Sequence, residues 1–415
     1  MDEAKVREEP KTEPQHLLSV VIPAYNEEEG IEEIIERVLA VRPALEAIGV
    51  GLEVIVVDDG SHDRTVEKVR AYPEVVLLQH SRNQGYGAAL KTGFHHARGD
   101  LLGFLDADGT YPPEHFPQLC QAALAGADLV IGSRMSGEES EMPLVRRIGN
   151  FIFANLVTLV SGQRVSDSAS GMRVIRREAL PRLYPLPDGL NFTPVMSTRA
   201  MHEAIKVVEV PIPYRERRGR SKLSVVRDGL RFLTTIVWTA LTYNPVRLLG
   251  GVGLALIAFA ALIVGALFLA RLSGITQLGS WGVLGVFAGG VAAVLGVMLF
   301  ALGATFNHLV SLFEQRPVRR GLFGKPIFTT PLEEQFWWMG ALVLGAGLLL
   351  GLFDLWAALH AWPMERLWLY LLGSAMAILL GTELIVFWII IAVLETLRRR
   401  DAAIDSDLEG GECLT

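Results

Sequence analysis

Four long apolar stretches in the carboxyl-terminal half place the strongest constraint on the fold of this chain. They run approximately over residues 248–270, 281–306, 336–359 and 367–394. Each is at least as long as the roughly 20 residues that a helix needs to cross the hydrocarbon of a bilayer. They account for a mean hydropathy of +0.35 and a composition that is 51% hydrophobic in 415 residues. We therefore predict a transmembrane domain of two helical hairpins over residues 246–397.

Basic residues are concentrated in two of the segments that connect or follow these stretches. They are Arg316, Arg319, Arg320 and Lys325 after the second stretch, and Arg398, Arg399 and Arg400 after the fourth. The other two connections have one arginine each, Arg271 and Arg366. Because cytoplasmic loops are enriched in Lys and Arg, we predict a multi-pass membrane protein whose amino-terminal domain is cytoplasmic. The membrane would be the plasma membrane of a prokaryote, or the endoplasmic reticulum of a eukaryote.

The remaining residues predict one soluble domain, a connecting helix and two tails. Residues 1–16 are charged and form a disordered tail, residues 17–223 are long enough for one domain, and residues 398–415 form a basic and then acidic tail. Residues 224–245 predict an amphipathic helix that lies on the membrane surface. The alternative for this helix is that it packs on the soluble domain. Its apolar face consists of Val226, Leu230, Leu233, Val237 and Leu241, opposite Arg227 and Arg231.

Short apolar runs alternate with helical patterns in the soluble domain. The runs are residues 18–22, 52–57, 75–78, 101–105 and 129–131. This alternation predicts an α/β fold with a mostly parallel sheet that is buried on both faces. Such sheets bind ligands outside the carboxyl ends of their strands, where polar segments follow these runs. The position of those segments therefore indicates a nucleotide site.

The most informative of these segments is Asp106-Ala107-Asp108, directly after the run that ends at Leu105. Residues i and i+2 of an extended segment point in the same direction, so the two carboxylates would converge. Carboxylate oxygens suit Mg²⁺ or Mn²⁺, and such a cation can hold a diphosphate. The alternative is that these aspartates form an ordinary polar loop or cap a helix.

The ordered motifs Pro23–Glu28, Val57–Ser61, Asp106–Asp108 and Gly219–Lys222 resemble glycosyltransferase family 2. They are most similar to membrane polyprenyl-phosphate glycosyltransferases such as dolichyl-phosphate mannose synthase. The resemblance covers about residues 17–245, and some members have four spans after the catalytic domain. It implies a GT-A type, Rossmann-like catalytic domain.

The resemblance also implies roles for individual residues. In the donor site, the resemblance implies that Pro23, Tyr25 and Glu27 line the nucleotide pocket and that Val57 and Asp59 contact the base and ribose. It also implies that Asp106, Ala107 and Asp108 line the donor site, with the metal bound by the two aspartates. Mannose synthases have a Gln ligand two residues after the second aspartate, where this chain has Thr110. Arg134 matches a phosphate-binding arginine, and Lys222 matches the lysine of the Gly-x-Ser-Lys motif. The family arginine six residues before that lysine falls on Glu216, and we take Arg217 in its place.

The function predicted is the inverting, single transfer of a sugar from a UDP- or GDP-linked donor to a polyprenyl phosphate such as dolichyl or undecaprenyl phosphate. A phosphate monoester has a second pKa of about 6 and is already a nucleophile at neutral pH, so it needs no general base. The residues expected in catalysis are Asp108, Lys222 and Asp167. For Asp167 three readings remain open: a base for a hydroxyl acceptor, an orienting group, or a helix cap or turn.

Several other functions are compatible with parts of the sequence. A processive polysaccharide synthase usually has a Gln-x-x-Arg-Trp motif, which this chain lacks, and a glycolipid transferase would use a hydroxyl acceptor. A transporter or nucleotide-binding scaffold is the non-enzyme alternative, although the spans have few charges. The net charge of −7 gives no reason to expect a nucleic-acid partner. Whether the spans form a homo-oligomer is left open.

Overall fold

The computed structural model describes residues 14–135, 144–161, 164–203, 205–214, 225–274, 277–313 and 332–409. The chain divides into two compact units between Thr239 and Ala240. The first unit is an α/β domain and the second is helical. The domain boundaries given above, including the interfacial role of residues 224–245, stay predictions.

The first unit has a seven-stranded sheet. Its strands are β1 (His16–Ala24), β2 (Val50–Asp58), β3 (Val75–Gln79), β4 (Leu101–Phe104), β5 (Leu129–Ser133), β6 (Arg173–Arg176) and β7 (Val207–Pro211). The order across the sheet is β3-β2-β1-β4-β6-β5-β7. Every pairing is parallel except those of β6, which runs antiparallel to β4 and β5. The predicted fold class is therefore confirmed.

Helices cover both faces of this sheet. They are α1 (Ile31–Ala40), α2 (Arg42–Glu46), α3 (Thr65–Val69), α4 (Tyr86–His96), α5 (Phe116–Leu124), α6 (Leu144–Ser161), α7 (Leu180–Leu183), α8 (Phe192–His202) and α9 (Val225–Tyr243), with 3₁₀ turns at Pro113–His115 and Arg177–Ala179. Successive strand residues point to opposite faces, so Val20 and Ile22 pack in one core cluster and Val21 in the other. All five strands predicted from apolar runs are present; β1, β2, β4 and β5 are buried on both faces, whereas β3 forms an edge of the sheet and Val76 is 40% exposed.

The sequence patterns did not indicate β6 and β7. The first reads Arg-Val-Ile-Arg and has only two apolar residues. The second forms the edge of the sheet, where Glu209 and Pro211 interrupt the apolar pattern. Proline is tolerated at a sheet edge because its missing N–H removes no ladder bond there.

Helix α9 packs on the first unit and also has an exposed apolar face. Ile236 is fully buried in a core cluster of that unit. Leu230, Leu233 and Trp238 are exposed. The alternative that this helix packs on the soluble domain is therefore observed at Ile236. Of the five residues from which a membrane-facing side was predicted, Leu230 and Leu233 are exposed, and Val237 and Leu241 are half-buried.

The second unit begins with a π-helical turn (Val246–Gly250) and contains α10 (Gly251–Leu272), α11 (Ser280–Phe313), a 3₁₀ turn (Leu332–Gln335), α12 (Phe336–Leu359) and α13 (Met364–Glu409). Among the described residues, four helical segments are long and apolar enough to cross a membrane, as predicted. The helices of each hairpin meet at glycines: a Cβ on Gly253 would lie 2.6 Å from the carbonyl oxygen of Gly296, and one on Gly340 would lie 2.8 Å from that of Gly381. Small residues at such crossings let the backbones of membrane helices approach closely.

Candidate active site

The two aspartates after β4 are each held by a neighbouring hydroxyl. Tyr86, at the start of α4, donates to Asp106 Oδ1 at 2.7 Å. Burial and the Asp106 carboxylate raise the pKa of Tyr86 well above its usual value, so this hydroxyl keeps its proton. Asp108 Oδ1 accepts bonds from Thr110 Oγ1 at 2.6 Å and Thr110 N at 3.1 Å. Thr110 therefore orients the carboxylate that precedes it.

A glycine contact fixes the other side of Asp106. An added Cβ on Gly171 would lie 2.4 Å from Asp106 Oδ2 and 2.8 Å from Oδ1. The N–H of Gly171 donates to the Tyr111 hydroxyl oxygen at 2.6 Å. Asp106 thus fits between the Tyr86 hydroxyl and a backbone segment that has room only for glycine.

A buried ion pair lies behind this segment. Asp167 is 0% exposed, and its two oxygens accept bonds from Arg134 Nε at 2.7 Å, Arg134 Nη2 at 2.8 Å, the Arg134 backbone N–H at 3.0 Å and Asn150 Nδ2 at 2.8 Å. Burial alone would raise the pKa of Asp167, but the charge and hydrogen bonds of Arg134 outweigh it and hold the pKa below its usual range. Asp167 is therefore a carboxylate anion with both oxygens bonded. This geometry favours the orienting role over that of a general base.

Two rings and a second carboxylate complete the surroundings of this pair. The Arg134 guanidinium lies 5.6 Å from the ring centre of Tyr111 and 5.8 Å from that of Tyr214. Glu209 of β7 accepts the backbone N–H groups of Ser166 at 2.9 Å and of Asp167 at 3.0 Å. The turn that presents Asp167 is thus tied to the edge strand. The position of Arg134 is consequently fixed from several elements at once.

Asp59 binds the segment between β3 and α4. Its Oδ1 accepts the N–H of Gln84, its Oδ2 accepts the N–H of Gly85, both at 2.8 Å, and His80 Nδ1 lies 2.7 Å from Oδ1. Gly85 has φ of +108°, a backbone conformation that favours glycine. Asp59 therefore fixes the backbone of the Gln84–Gly85 segment, which lines the site.

The backbone N–H groups of the first turn of α4 bond to a carbonyl oxygen that is distant in the sequence. The N–H groups of Gly87 and Ala88 both donate to the carbonyl oxygen of Asp188, at 2.7 and 3.1 Å. Cβ atoms on Gly85 and Gly87 would clash with the same loop, at 2.5 and 2.1 Å from carbonyl oxygens of Asp188 and Pro187. The glycines in the Gln84–Gly87 segment are explained by this close approach.

These groups surround a cavity of about 770 Å³ in the first unit. Of the residues expected from the sequence, those that line it are Pro23, Tyr25, Glu27, Asp59, Asp106, Ala107, Asp108 and Arg134. Val57 is not among the lining residues, because its side chain is fully buried in the core, and its contact with the base or ribose stays a prediction. Asp167 lies behind Arg134. Arg217 and Lys222 are outside the described residues.

The donor set fits a hard divalent cation. Within the described part of the chain, no three His, Cys, Asp or Glu residues group as a metal site. The protein would therefore supply Asp106 and Asp108, and phosphate and water would supply the other ligands. Mg²⁺ is often held in this way, by one or two carboxylates and substrate phosphates.

The sequence did not indicate four important residues of the site. They are Tyr86, Tyr111, Asn150 and Gly171. Each lies against a residue that the sequence did indicate: Tyr86 and Gly171 against Asp106, Tyr111 against Arg134, and Asn150 against Asp167. Of the four, Gly171 was the easiest to infer from the sequence, because it lies in the Ser-rich segment that contains Asp167. The other three are ordinary residues in helices or after the D-x-D.

Comparison with known proteins places this site in a family. The model of "Glycosyl transferase family 2" matches residues 19–183. The undecaprenyl-phosphate 4-deoxy-4-formamido-L-arabinose transferase of Edwardsiella ictaluri is 32% identical over 300 residues, which are 70% of this chain and 85% of that protein. The chain belongs to glycosyltransferase family 2. It is accordingly a glycosyltransferase, and the expected resemblance is confirmed.

Further similarities concern the whole chain or one of its two units. The low-salt glycan biosynthesis hexosyltransferase Agl6 of Haloferax volcanii is 34% identical over 292 residues, 69% of this chain and 67% of that protein. A domain of unknown function, DUF8752, matches residues 245–405. Glucosyl-3-phosphoglycerate synthase of Mycobacterium tuberculosis, solved with Mn²⁺, UDP-glucose and glycerol 3-phosphate, superposes with a TM-score of 0.45 at 22% identity over 55% of this chain and 80% of that one.

Proposed function

We propose that this glycosyltransferase transfers a sugar from a nucleoside diphosphate to a polyprenyl phosphate, with inversion and with a divalent cation, at the cytoplasmic face of a membrane. The observation that carries the proposal is the composition of the cavity. One wall has the D-x-D carboxylates, and another is formed by α6 and α9, two helices with exposed apolar residues. A charged donor and a lipid acceptor need these two kinds of surface side by side.

The donor side is the wall of the cavity that contains Asp106 and Asp108. A bound Mg²⁺ or Mn²⁺ would offset the charge that develops on the leaving diphosphate. Tyr86 and Thr110 hold the two carboxylates in place before any ligand arrives, which limits reorganisation during the reaction. Arg134 lines the same cavity, and its bonds to Asp167 use Nε and one N–H of Nη2. The guanidinium has five N–H groups, so it can also donate to a phosphate oxygen.

The acceptor side is the wall formed by α6 and α9. Phe153 and Phe232 line the cavity with their rings edge to face, 6.0 Å apart between centres. On the outer side of α6, Ile148 is 53% and Phe151 62% exposed. Leu230 of α9 is 58% exposed. Relatives of this chain are named for transfer to undecaprenyl phosphate, and these apolar surfaces suit such an acceptor.

The transfer itself is a single displacement. A phosphate oxygen of the acceptor forms a bond to the anomeric carbon, and the bond from that carbon to the diphosphate oxygen breaks, so its electron pair leaves with the nucleoside diphosphate. One displacement inverts the anomeric configuration. The acceptor is largely a dianion at neutral pH, so the protein need not remove a proton. The bonded state of Asp167 agrees with a reaction that needs no base.

The proposed location follows from the spans and their flanks. Four helical segments of membrane-spanning length follow the catalytic domain. Arg398, Arg399 and Arg400 lie near the end of the fourth, and the second basic segment, with Arg316 and Lys325, lies outside the described residues. Positive residues at these ends favour a cytoplasmic catalytic domain.

The test is to incubate the purified full-length protein with a panel of UDP- and GDP-sugars, Mg²⁺ or Mn²⁺, and farnesyl phosphate. We expect mass spectrometry to find a sugar phosphodiester with inverted configuration in one of these mixtures. Farnesol serves as the matched acceptor without a phosphate. Efficient glycosylation of farnesol, or no transfer to either lipid, would contradict the proposal.

A further inference from the structure

Arg231 is a cation in the cavity that neither the donor chemistry nor the D-x-D motif accounts for. It lies on α9, between the cavity-lining residue Gly229 and Phe232, which also lines the cavity. The ring of Phe232 packs on that of Phe153 of α6, with 6.0 Å between the ring centres. Arg231 thus occupies the wall on which the proposed lipid acceptor would enter.

The position of this guanidinium is set by the loop before α8. A Cβ on Gly189 would lie 3.1 Å from Arg231 Nη2, so the guanidinium packs against bare backbone there. One turn further along α9, Thr235 Oγ1 accepts a hydrogen bond from Asn191 Nδ2 at 3.1 Å. The same loop caps α4 through the carbonyl oxygen of Asp188. The loop therefore links the Arg231 side of the cavity to the helix that holds Tyr86.

The charges around the cavity distinguish Arg231 from the other cations. Arg134 is paired with Asp167, and Lys91 is paired with Asp188. Arg231 has no ion pair or hydrogen bond of its side chain in the part of the chain that the structure describes. Its charge is therefore available to an anion, whereas the charge of Arg134 is already largely compensated.

We propose that Arg231 binds the phosphate group of the lipid acceptor. This inference rests on the proposed function and adds a specific contact to it. A guanidinium can donate two parallel N–H bonds to a phosphate, which gives both affinity and orientation. Phe153 and Phe232, which line the cavity together with Arg231, offer apolar surface for the chain of the same ligand. Arg231 would thus hold the nucleophile while the D-x-D side holds the donor.

The experiment compares Arg231→Ala and Arg231→Lys with Thr234→Ala in the full-length protein. Thr234 is an exposed residue of the same helix, and within the described residues its hydroxyl donates to the backbone carbonyl oxygens of Leu230 and Arg231. We expect Arg231→Ala to lower kcat/KM for farnesyl phosphate by about 10- to 100-fold, since a charge-assisted bond to phosphate is lost. The KM for the donor should change less than twofold. Lysine should restore part of the loss, because it keeps the charge without the paired N–H groups.

Direct binding of farnesyl phosphate in detergent gives a second measurement without the donor. We expect Arg231→Ala to weaken it by a similar factor, and Thr234→Ala to leave it unchanged. If Arg231→Ala matches Thr234→Ala in both measurements, or raises the donor KM as much as the acceptor KM, the assignment is wrong while lipid transfer by the native protein still stands. If the native protein transfers no sugar to farnesyl phosphate, the proposed function fails and this inference with it.

Discussion

Replacing Gly171 by alanine tests whether the position of Asp106 controls catalysis. The new Cβ would lie 2.4 Å from Asp106 Oδ2, about 0.6 Å inside the shortest separation that Cβ atoms show. The carboxylate or the backbone at residue 171 must therefore move by at least that amount. Misplacement of reacting groups by about 1 Å can cost 10²-fold in rate. We expect kcat to fall by about 10- to 100-fold.

The assay is sugar transfer to farnesyl phosphate over a range of Mn²⁺ concentrations. The concentration of Mn²⁺ at half-maximal rate should rise, because the displaced carboxylate would be the metal ligand. Gly149→Ala is the matched control: Gly149 lines the same cavity, but a Cβ there would have no atom within 4 Å. It lies inside α6, where alanine stabilises a helix relative to glycine by about 0.5–1 kcal/mol. Gly171→Ala activity above half of that control, with an unchanged Mn²⁺ requirement, would refute the reasoning.

Three further predictions follow from the site and the spans. Asp108→Asn should lower transfer by 10²-fold or more at saturating metal, and a residual rate above about a tenth would contradict its role as a ligand. Asp167→Asn should destabilise the protein by about 3 kcal/mol at pH 7, since it breaks a buried ion pair. Because the folded pKa of Asp167 is depressed, its contribution is fully present above the ordinary carboxyl pKa of about 4 and falls progressively as the solution becomes more acidic, so the gap in thermal unfolding temperature should narrow there. A gap that stays constant as the pH falls below about 4 would contradict this. A cysteine placed between Gln315 and Lys325, in a chain with Cys413→Ser, should react with an impermeant thiol reagent only after the membrane is opened. Labelling in intact cells would reverse the predicted orientation.

The sequence predicted those parts of the fold that depend on local patterns. Five strands and four long apolar helices follow from runs of apolar residues. The same reasoning placed Asp106 and Asp108 directly after a strand, and both line the cavity. Helix α9 illustrates the limit, since the sequence pattern allowed both a membrane face and a packed face, and the structure has Ile236 buried and Leu230 exposed.

The contacts within the site could not be predicted in this way. Arg134 and Asp167 are 33 residues apart, and Tyr86 and Asp106 are 20 apart. No periodic pattern links such pairs, because they meet only after the sheet has formed. The resemblance supplied Arg134 as a phosphate ligand but gave no indication that Asp167 already holds it. For Val57 it suggested a contact with the base or ribose; its side chain lies in the core, so such a contact would have to involve its backbone.

The hydrogen bonds at the start of α4 bear on whether the enzyme could work without a divalent cation. Many nucleotide-binding proteins bind phosphate at a helix amino terminus with free backbone N–H groups. In this chain Gln84 and Gly85 give theirs to Asp59, and Gly87 and Ala88 give theirs to the carbonyl of Asp188. These four amides cannot substitute for a missing cation at the diphosphate. We therefore expect chelation of divalent ions to stop the enzyme rather than slow it, so that glycolipid output would follow the supply of free Mg²⁺ or Mn²⁺ in the compartment.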